Sequence, residues 1–587
     1  MSSPRFSVII PSFDRAYLLK TRSIPSVLKQ TLQDWEVIVV GDGPQNGDLR
    51  SATESFGDPR IRYVESPRPG YDSMSEEEFW CVAGAHARNY GLQLASGALI
   101  APLDDDDEFL ENHLRDAGEA LDGETDFIYG CAIIRDLESG REYEDYFDWR
   151  NEATVRRFAE RNVVFHSTVC YSSRLQHLRY PTTGSVPADY ALWKSMLQGG
   201  AQFSSVARPQ AVYYGETRSL AIRLSVPSLP PVEQYQKAVA EIFESAMLSN
   251  GGPWCLRLEQ QVAETVGVPH AIAVPNGDAA LVSAFRALRI VSGDRDEVIM
   301  PAYTFPSTAN AAMAAGFRVA FCDVDEQSLC ITPETVAPSV GGRTAAVVPV
   351  HAHGNPVDMP AMETFCRDRG LRLLSDAAPA FGARVGDRRT GSFGDMEMFS
   401  FSGTKIVSGG EGGMVCTRDP ELADLVRKIG RYGLNGSYEC LHVGINGKLA
   451  ELPAALLVLS LPYVDAWIAR RRRAAELYRE TLSGLPGLRF QQASAPDAVS
   501  VWKDFPLILD WPAQRQKIAD MMTRYRVDTR PYYRPLHTMP AFRDAKHDAL
   551  PVTDRLADSV LCIPIYNGIS DQLISYVSGI VRHAIED

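Results

Sequence analysis

Ser400-Phe401-Ser402-Gly403-Thr404-Lys405, running into Gly409-Gly410-Glu411-Gly412-Gly413 and preceded by Ser375-Asp376-Ala377-Ala378, decides how this chain is read. A lysine amine in such a glycine-rich setting can condense with an aldehyde. An aspartate about thirty positions upstream can keep a pyridine nitrogen protonated, which makes the ring an electron sink. Together they read as a pyridoxal phosphate site. Before residue 230 the chemistry differs: Asp104-Asp105-Asp106-Asp107 follows an apolar strand, so the chain reads as two unrelated enzymes fused.

At 587 residues the chain exceeds one hydrophobic core, and about 150 residues per domain implies roughly three or four structural units. Apolar content of 45% and charged content of 23% are those of a folded, soluble protein. A net charge of -15 and a pI near 5.3 argue against a nucleic-acid partner. The basic run Arg470 to Arg473 reads as a solvated helix face. Met1-Ser2-Ser3-Pro4-Arg5 enters a strand directly, without the pattern of an export signal. The most apolar stretch, Leu452 to Val464, holds two prolines and falls short of the roughly twenty residues that a membrane span needs, so a buried helix is expected. Ten cysteines occur singly with no C-x-x-C pair, which suits a reducing cytoplasm and suggests neither zinc nor disulfides.

Phe6-Ser7-Val8-Ile9-Ile10 is a continuous apolar run ending at Pro11-Ser12-Phe13-Asp14. A helical pattern through Leu18, Leu19, Ile24, Val27 and Leu28 follows, then the strand Trp35 to Val40 and the turn Gly41-Asp42-Gly43-Pro44. This is a strand-helix-strand unit with polar residues at its strand ends, where ligands bind in such sheets. Ala98 to Leu103 delivers the four aspartates to the same edge of a presumed parallel sheet. Adjacent carboxylates repel, and a hard divalent cation bridging to phosphate oxygens relieves the repulsion.

Pro11-Ser12-Phe13-Asp14, Val39-Val40-Gly41-Asp42-Gly43, Ala87-Arg88-Asn89-Tyr90-Gly91-Leu92 and Leu103 to Asp107, in that order, resemble the family 2 glycosyltransferases over about residues 5 to 220. The resemblance implies a GT-A type, Rossmann-like nucleotide-sugar domain. In it Phe13 and Asp42 hold the base, Arg88 supports the diphosphate, Asp104 and Asp105 contact the nucleotide sugar, and Asp104 and Asp106 work with Mn²⁺ or Mg²⁺. A carboxylate at Asp42 accepts equally from uracil, thymine or guanine. Gly41 departs from the family, which often has aspartate there. Pro187-Ala188-Asp189-Tyr190-Ala191-Leu192-Trp193 resembles the family's acidic-aromatic segment, making Asp189 the general base of an inverting transfer. The competing reading of Asp189 is a helix N-cap. His166 reads as structural.

Leu224-Ser225-Val226-Pro227-Ser228-Leu229-Pro230-Pro231 marks the boundary, giving domains at 1–220, a linker at 221–231, and a second enzyme from 232. That second part resembles the DegT/StrS sugar aminotransferases, of fold-type I, with a large α/β cofactor-binding domain at 232–465 and a small C-terminal α+β domain at 466–587. In Glu297 to Phe305, Phe305 corresponds to the aromatic stacked on the cofactor. Asp376 corresponds to the pyridinium partner, Ala378 to the residue beneath the ring, Ser400 to a phosphate ligand and Lys405 to the cofactor-bearing lysine. Lysine rather than histidine there favours transamination over the family's dehydratase branch. Pro275-Asn276-Gly277-Asp278 stands at the phosphate-binding turn, with Gly277 offering its amide and Asp278 replacing the family's threonine; Pro379 replaces a polar contact. Gly444-Ile445-Asn446-Gly447-Lys448 resembles the segment whose asparagine reaches the neighbouring subunit's cofactor, which implies a homodimer. Arg530 to His537 resembles the substrate-side stretch, with a core-and-cap role as the competing reading.

The expectation is thus a bifunctional α/β enzyme of amino-sugar, glycoconjugate or antibiotic biosynthesis. A metal-dependent inverting glycosyltransferase using a nucleotide sugar is joined to a pyridoxal-phosphate aminotransferase. The latter takes a keto sugar and an amino donor, glutamate or glutamine. A ketocyclitol substrate, or one half serving only as a binding module, are the alternatives.

Overall fold

The computed structural model describes residues 4–43, 48–67, 74–121, 123–137, 140–215 and 222–586. The expected opening residues 1–3 and the boundary at 220–221 lie outside the described residues. The chain divides into two compact units, Met1–Ser219 and Leu220–Asp587.

In the first unit, Phe6–Ser12 is buried along its whole length, as an apolar run without alternation requires of a strand covered on both faces. It lies between Trp35–Asp42 and Leu99–Pro102 and is parallel to both. Three carboxyl ends therefore meet on one edge. They bring Ser12, Asp42 and the aspartates after Pro102 together. The sheet is mixed rather than purely parallel, because Cys170–Ser172 adds antiparallel to Leu99–Pro102 and carries the sheet on to Phe127–Asp136 and Phe203–Gly215. Helix Ala85–Leu94 sits against this sheet at Gly91, where an added Cβ would fall 2.6 Å from Ile9 Cγ2. Only glycine permits that approach, which sets Arg88 near the aspartates.

The second unit is built on a sheet whose described strands run in the order His270–Val274, Gly413–Thr417, Met396–Ser400, Arg372–Asp376, Thr344–Val347, Glu297–Pro301, Arg318–Cys322 and Lys546–His547. Gly413–Thr417 is antiparallel to both neighbours; the other adjacent pairs are parallel. Apolar clusters pack the sheet, one through Phe285, Met300 and Met398, another through Phe381, Phe399 and Leu457. A smaller antiparallel sheet of Leu488–Phe490, Phe505–Leu509 and Val560–Ile563 lies toward the C-terminus. The proline-rich stretch is docked within this unit: Ile222 N–H donates to Arg526 O at 2.7 Å, and Ile565 N–H to Leu224 O at 3.2 Å.

Leu452 to Val464 is helical, as expected. Glu451–Ser460 continues through a 3₁₀ turn into Val464–Leu482, a run long and apolar enough by composition to cross a membrane. Its apolar side instead packs in the core, through Ala454, Ala455 and Leu457. Glu451 is buried and accepts from the amides of Trp254 at 2.9 Å and Cys255 at 3.0 Å, the first turn of helix Pro253–Val266. The basic run needs correction. Arg470, Arg472 and Arg473 are exposed, but the 100° helical step turns Arg471 inward to 0% exposure. There Arg471 Nη1 donates to the carbonyls of Trp502, Lys503 and Ile565, and burial pushes its guanidinium down to about 10.

Candidate functional site

In the second unit the carboxyl ends of four strands, His270–Val274, Glu297–Pro301, Arg372–Asp376 and Met396–Ser400, share one edge, and the expected residues follow them. Asp376 is buried. Its Oδ2 accepts from Thr308 Oγ1 at 2.7 Å and its Oδ1 from the Ala378 amide at 3.0 Å. Lys405 lies in the turn after Ser400, its amide donating to Ser402 O at 3.0 Å. The side chain is half-buried, and among the described residues its amine has no hydrogen-bond or ion-pair partner. Burial, then the Lys503 ammonium, brings that amine down to about 8, against the pull of Asp376, Asp504 and Asp278. A lysine near 8 carries a substantial neutral fraction at ordinary pH, the form that attacks an aldehyde.

Gly277 begins helix Gly277–Val291, and a Cβ there would lie 2.8 Å from Ser400 Cβ. That absence of a side chain keeps the helix start open beside Ser400, where first-turn amides with no partner inside the helix favour an anion. Asn276 caps the helix through the Ala279 amide at 2.8 Å. Asp278 is exposed at the same turn, a carboxylate where an anion would bind. Ala378 is half-buried, and the Phe305 ring is 59% exposed. A buried carboxylate, an unpartnered amine, an anion-favouring helix start and an open aromatic face fit a flat, phosphorylated pyridine aldehyde. Asn446 is exposed and its Oδ1 accepts from Lys448 Nζ.

Sequence reasoning missed the wall behind Lys405. Lys503 Nζ donates to Asp504 Oδ1 at 2.7 Å, Asp504 Oδ2 lies 3.4 Å from His353 Nδ1, and His353 Nε2 lies 3.1 Å from the Tyr303 hydroxyl. Tyr533 stacks on His353 with centroids 5.2 Å apart. These residues come from segments up to 230 positions apart, and no local motif joins them. Thr308 was missed for the same reason, although it sits one turn beyond Phe305.

In the first unit every aspartate of the run is engaged. Asp104 Oδ1 accepts from Arg88 Nη2 at 2.7 Å and lies 3.2 Å from His166 Nδ1. Burial works against its charge, but His166 and Arg88 outweigh burial and hold it well below the usual carboxylate range. Asp105 accepts from Ser12 Oγ at 2.6 Å and Arg15 at 3.1 Å, yet burial and the neighbouring Asp106 push it up to about 7. Asp107 accepts from Ser167 Oγ at 2.6 Å, and burial raises it well above its ordinary value. Asp106 pairs with Arg15 at 2.9 Å while its side chain stays 27% exposed. Arg88, expected on a diphosphate, is turned onto Asp104. Asp42 is buried and Phe13 exposed at the neighbouring strand ends. Among the described residues no group of three His, Cys, Asp or Glu could form a metal cage. A magnesium-type ion needs only one or two carboxylates when phosphate oxygens and water complete its shell, so Asp104 and Asp106 still fit one.

Asp189 is not the N-cap of helix Ala188–Gln198; Pro187 is, and it makes no side-chain cap. Asp189 Oδ2 accepts from Asn162 Nδ2 at 3.0 Å and Oδ1 from the Tyr190 amide at 2.7 Å. It opens onto a cavity of about 370 Å³ that His166, Asn162 and Tyr213 also line. His166, read as structural, thus bridges the Asp104 cluster and this cavity.

A family model described as the DegT/DnrJ/EryC1/StrS aminotransferase family matches residues 231–582, and one described as Glycosyl transferase family 2 matches residues 7–73 and 82–182. GDP-perosamine synthase of Vibrio cholerae is 30% identical over 362 residues, spanning 61% of this chain and 97% of that protein. UDP-N-acetyl-3-dehydro-alpha-D-glucosamine 3-aminotransferase of Acidithiobacillus ferrooxidans is 34% identical over 361 residues, spanning 61% and 95%. The crystal structure of DesI in the presence of its TDP-sugar product superposes with a TM-score of 0.58 at 33% identity, covering 62% of this chain and 93% of that one.

Proposed function

The chain belongs to the DegT/DnrJ/EryC1/StrS aminotransferase family and carries a family 2 glycosyltransferase domain; from that premise we propose a bifunctional enzyme whose second unit aminates a keto group on a nucleotide-linked sugar. The half-buried, unpartnered Lys405 amine at the strand edge that holds Asp376 carries this reading. Relatives named for GDP-, UDP- and TDP-sugar chemistry support the substrate class. Pyridoxal phosphate, when bound, would supply an electron sink that acidifies the amino donor's Cα–H. Lys405 takes the proton from that carbon and returns it on the acceptor side. Asp376, fixed by Thr308 and the Ala378 amide, keeps a pyridine nitrogen protonated. Phe305 and Ala378 would hold the pyridine ring, while Ser400 and the Gly277 amide would receive the phosphate. The exposed Asn446 serves a second subunit's site, making the enzyme a homodimer. Glutamate or glutamine is the donor.

In the first unit we assign inverting transfer from a nucleotide sugar. Phe13 and Asp42 hold the base, and Arg88, Asp104 and Asp105 hold the diphosphate side. Asp189 takes the proton of an acceptor hydroxyl as that oxygen bonds to the anomeric carbon and the diphosphate leaves with the electron pair of the broken bond. Mn²⁺ or Mg²⁺ between Asp104 and Asp106 would neutralise charge on that diphosphate. The chain's ten cysteines are all free, which suits a reducing compartment, in keeping with a cytoplasmic enzyme.

Visible absorbance of the purified protein reconstituted with pyridoxal phosphate tests the second-unit assignment. The expected result is a band near roughly 410 to 430 nm that moves toward about 330 nm with L-glutamate and is missing in Lys405→Ala. A protein that takes up no cofactor would mean that Asp278 and Pro379 have disabled the site, leaving it as a binding module.

A further inference from the structure

The cavity in front of Asp189 carries charge that the reading above does not use. Helix Glu152–Glu160 and its C-cap place Arg157 and Arg161 one turn apart, and both line the cavity. Like charges at this spacing repel. Their neighbour Arg156 is paired with Glu152 at 3.0 Å, but among the described residues neither Arg157 nor Arg161 has a carboxylate partner. The Arg157 guanidinium lies 4.9 Å from the Phe147 ring centroid, an aromatic that also lines the cavity and fixes where that charge sits. A cation near a helix C-terminus is favoured by the macrodipole. Both guanidiniums are solvent-exposed, so water can satisfy them and their charge remains available to a ligand in the cavity they line. Two carboxylates, Asp145 and Asp189, share the lining. The cavity therefore matches a ligand with one anionic group and several hydroxyls better than a wholly neutral or wholly anionic one. Its volume, about 370 Å³, is at the small end of the roughly 300–1,000 Å³ of small-molecule sites.

We propose that this cavity is the acceptor subsite of the glycosyltransferase and that it takes a sugar bearing an oxyanion, phosphate or carboxylate, which Arg157 and Arg161 hold while a hydroxyl of the same molecule faces Asp189. The proposal rests on Asp189 being the transfer base. The Asn162 amide holds Asp189 at 3.0 Å, and its own Oδ1 accepts from the Val164 amide at 3.0 Å, so the carboxylate is oriented by a braced neighbour rather than by the anion itself. Arginine suits the role because its fork meets phosphate and carboxylate with paired hydrogen bonds.

The test is calorimetric titration of the full-length protein, loaded with pyridoxal phosphate so that the second unit's anion site is filled. The ligands are glucose 1-phosphate, glucuronate, methyl glucoside and inorganic phosphate. One of the two charged sugars should bind at least about tenfold more tightly than methyl glucoside, and Arg157→Gln/Arg161→Gln should erase the difference. Whichever charged sugar prevails identifies the oxyanion as phosphate or carboxylate. Asp189→Asn should leave that affinity unchanged or improve it, because a like charge is removed, whereas loss of a merely structural feature would weaken every ligand. Equal binding of charged and neutral sugars, or indifference to the arginine substitutions, overturns the proposal. So does inorganic phosphate matching the sugar phosphate, since that is an anion site without sugar recognition. Titration of UDP, dTDP and GDP with Mn²⁺ on the same protein separates the premise: if none binds while the charged sugar does, the transferase reading fails and the cavity is not an acceptor subsite.

Discussion

Lys405 and Lys503 show how one residue's chemistry is set by another nearly a hundred positions away. A lysine amine at about 8 in the folded protein, against about 10.4 unfolded, means that the unfolded chain binds more protons between those values, so stability rises with pH through that window. Cofactor-free Lys405→Met should therefore be more stable than the parent by about 2 to 3 kcal/mol at pH 7, and the gap should close between about pH 8 and about pH 10.4; urea denaturation at several pH values measures it. Lys503→Met removes the like charge and leaves Asp504 without its ammonium, and both changes favour a charged Lys405. Its pKa should climb by about one unit, read by mass-spectrometric acetylation of Lys405 in the cofactor-free protein against pH; no movement would remove Lys503 from the account. Thr308→Val deprives a buried carboxylate of a 2.7 Å donor, and cofactor affinity should fall by a factor equivalent to about 1–3 kcal/mol in equilibrium dialysis. The candidate residues Lys405, Asp376 and Gly277 were legible because lysine, aspartate and glycines sit within short, ordered motifs. Thr308, Lys503, Asp504 and His353 were not, because what matters in them is a contact across the fold.

At the scale of elements, continuous apolar runs announced the parallel strands of the first unit, since burial on both faces leaves no alternation, whereas the second unit's sheet was expected from its motifs' resemblance to a family. The antiparallel insertions were invisible: Cys170–Ser172 and Gly413–Thr417 are short apolar runs whose direction is settled only by the chain's return path. Arg471 escaped the basic-run reading because four like residues in a row hide which one a helix turns inward. The glycine at the start of helix Gly277–Val291 was read for its amide, whereas the structure gives it a steric task as well. An alanine there would set its Cβ 2.8 Å from Ser400 Cβ, tighter than packing allows, so either the helix or the strand end must move. Gly277→Ala should lower stability by about 1–3 kcal/mol and weaken cofactor binding together, seen as a reduced melting temperature of the cofactor-free protein and a raised dissociation constant. A stable variant with unchanged affinity would show that the helix start plays no part in the anion site.

For the whole molecule, the proposed fusion of two activities and the proposed pairing of two copies are separate questions, and the second can be tested at the surface. The segment that carries Asn446 also exposes Tyr438 at 91% and Val443 at 79%. Exposed large apolar side chains that crowd a functional stretch mark an interface more often than idle surface. If a second copy buries them and Asn446 serves the neighbour's cofactor phosphate, as proposed, association and cofactor retention would be coupled. Tyr438→Glu/Val443→Glu places two charges in that contact, and desolvating them is unfavourable by several kcal/mol. Light scattering should report half the parental mass for the variant, and the monomer should release pyridoxal phosphate more readily than the dimer. The first unit supplies an internal control: the nucleotide binding proposed there would depend on Phe13, Asp42 and Asp104 of the same chain and should survive dissociation. A variant that keeps its mass would mean that copies pair elsewhere or not at all, and one that becomes monomeric yet retains its cofactor would mean that Asn446 serves no second subunit.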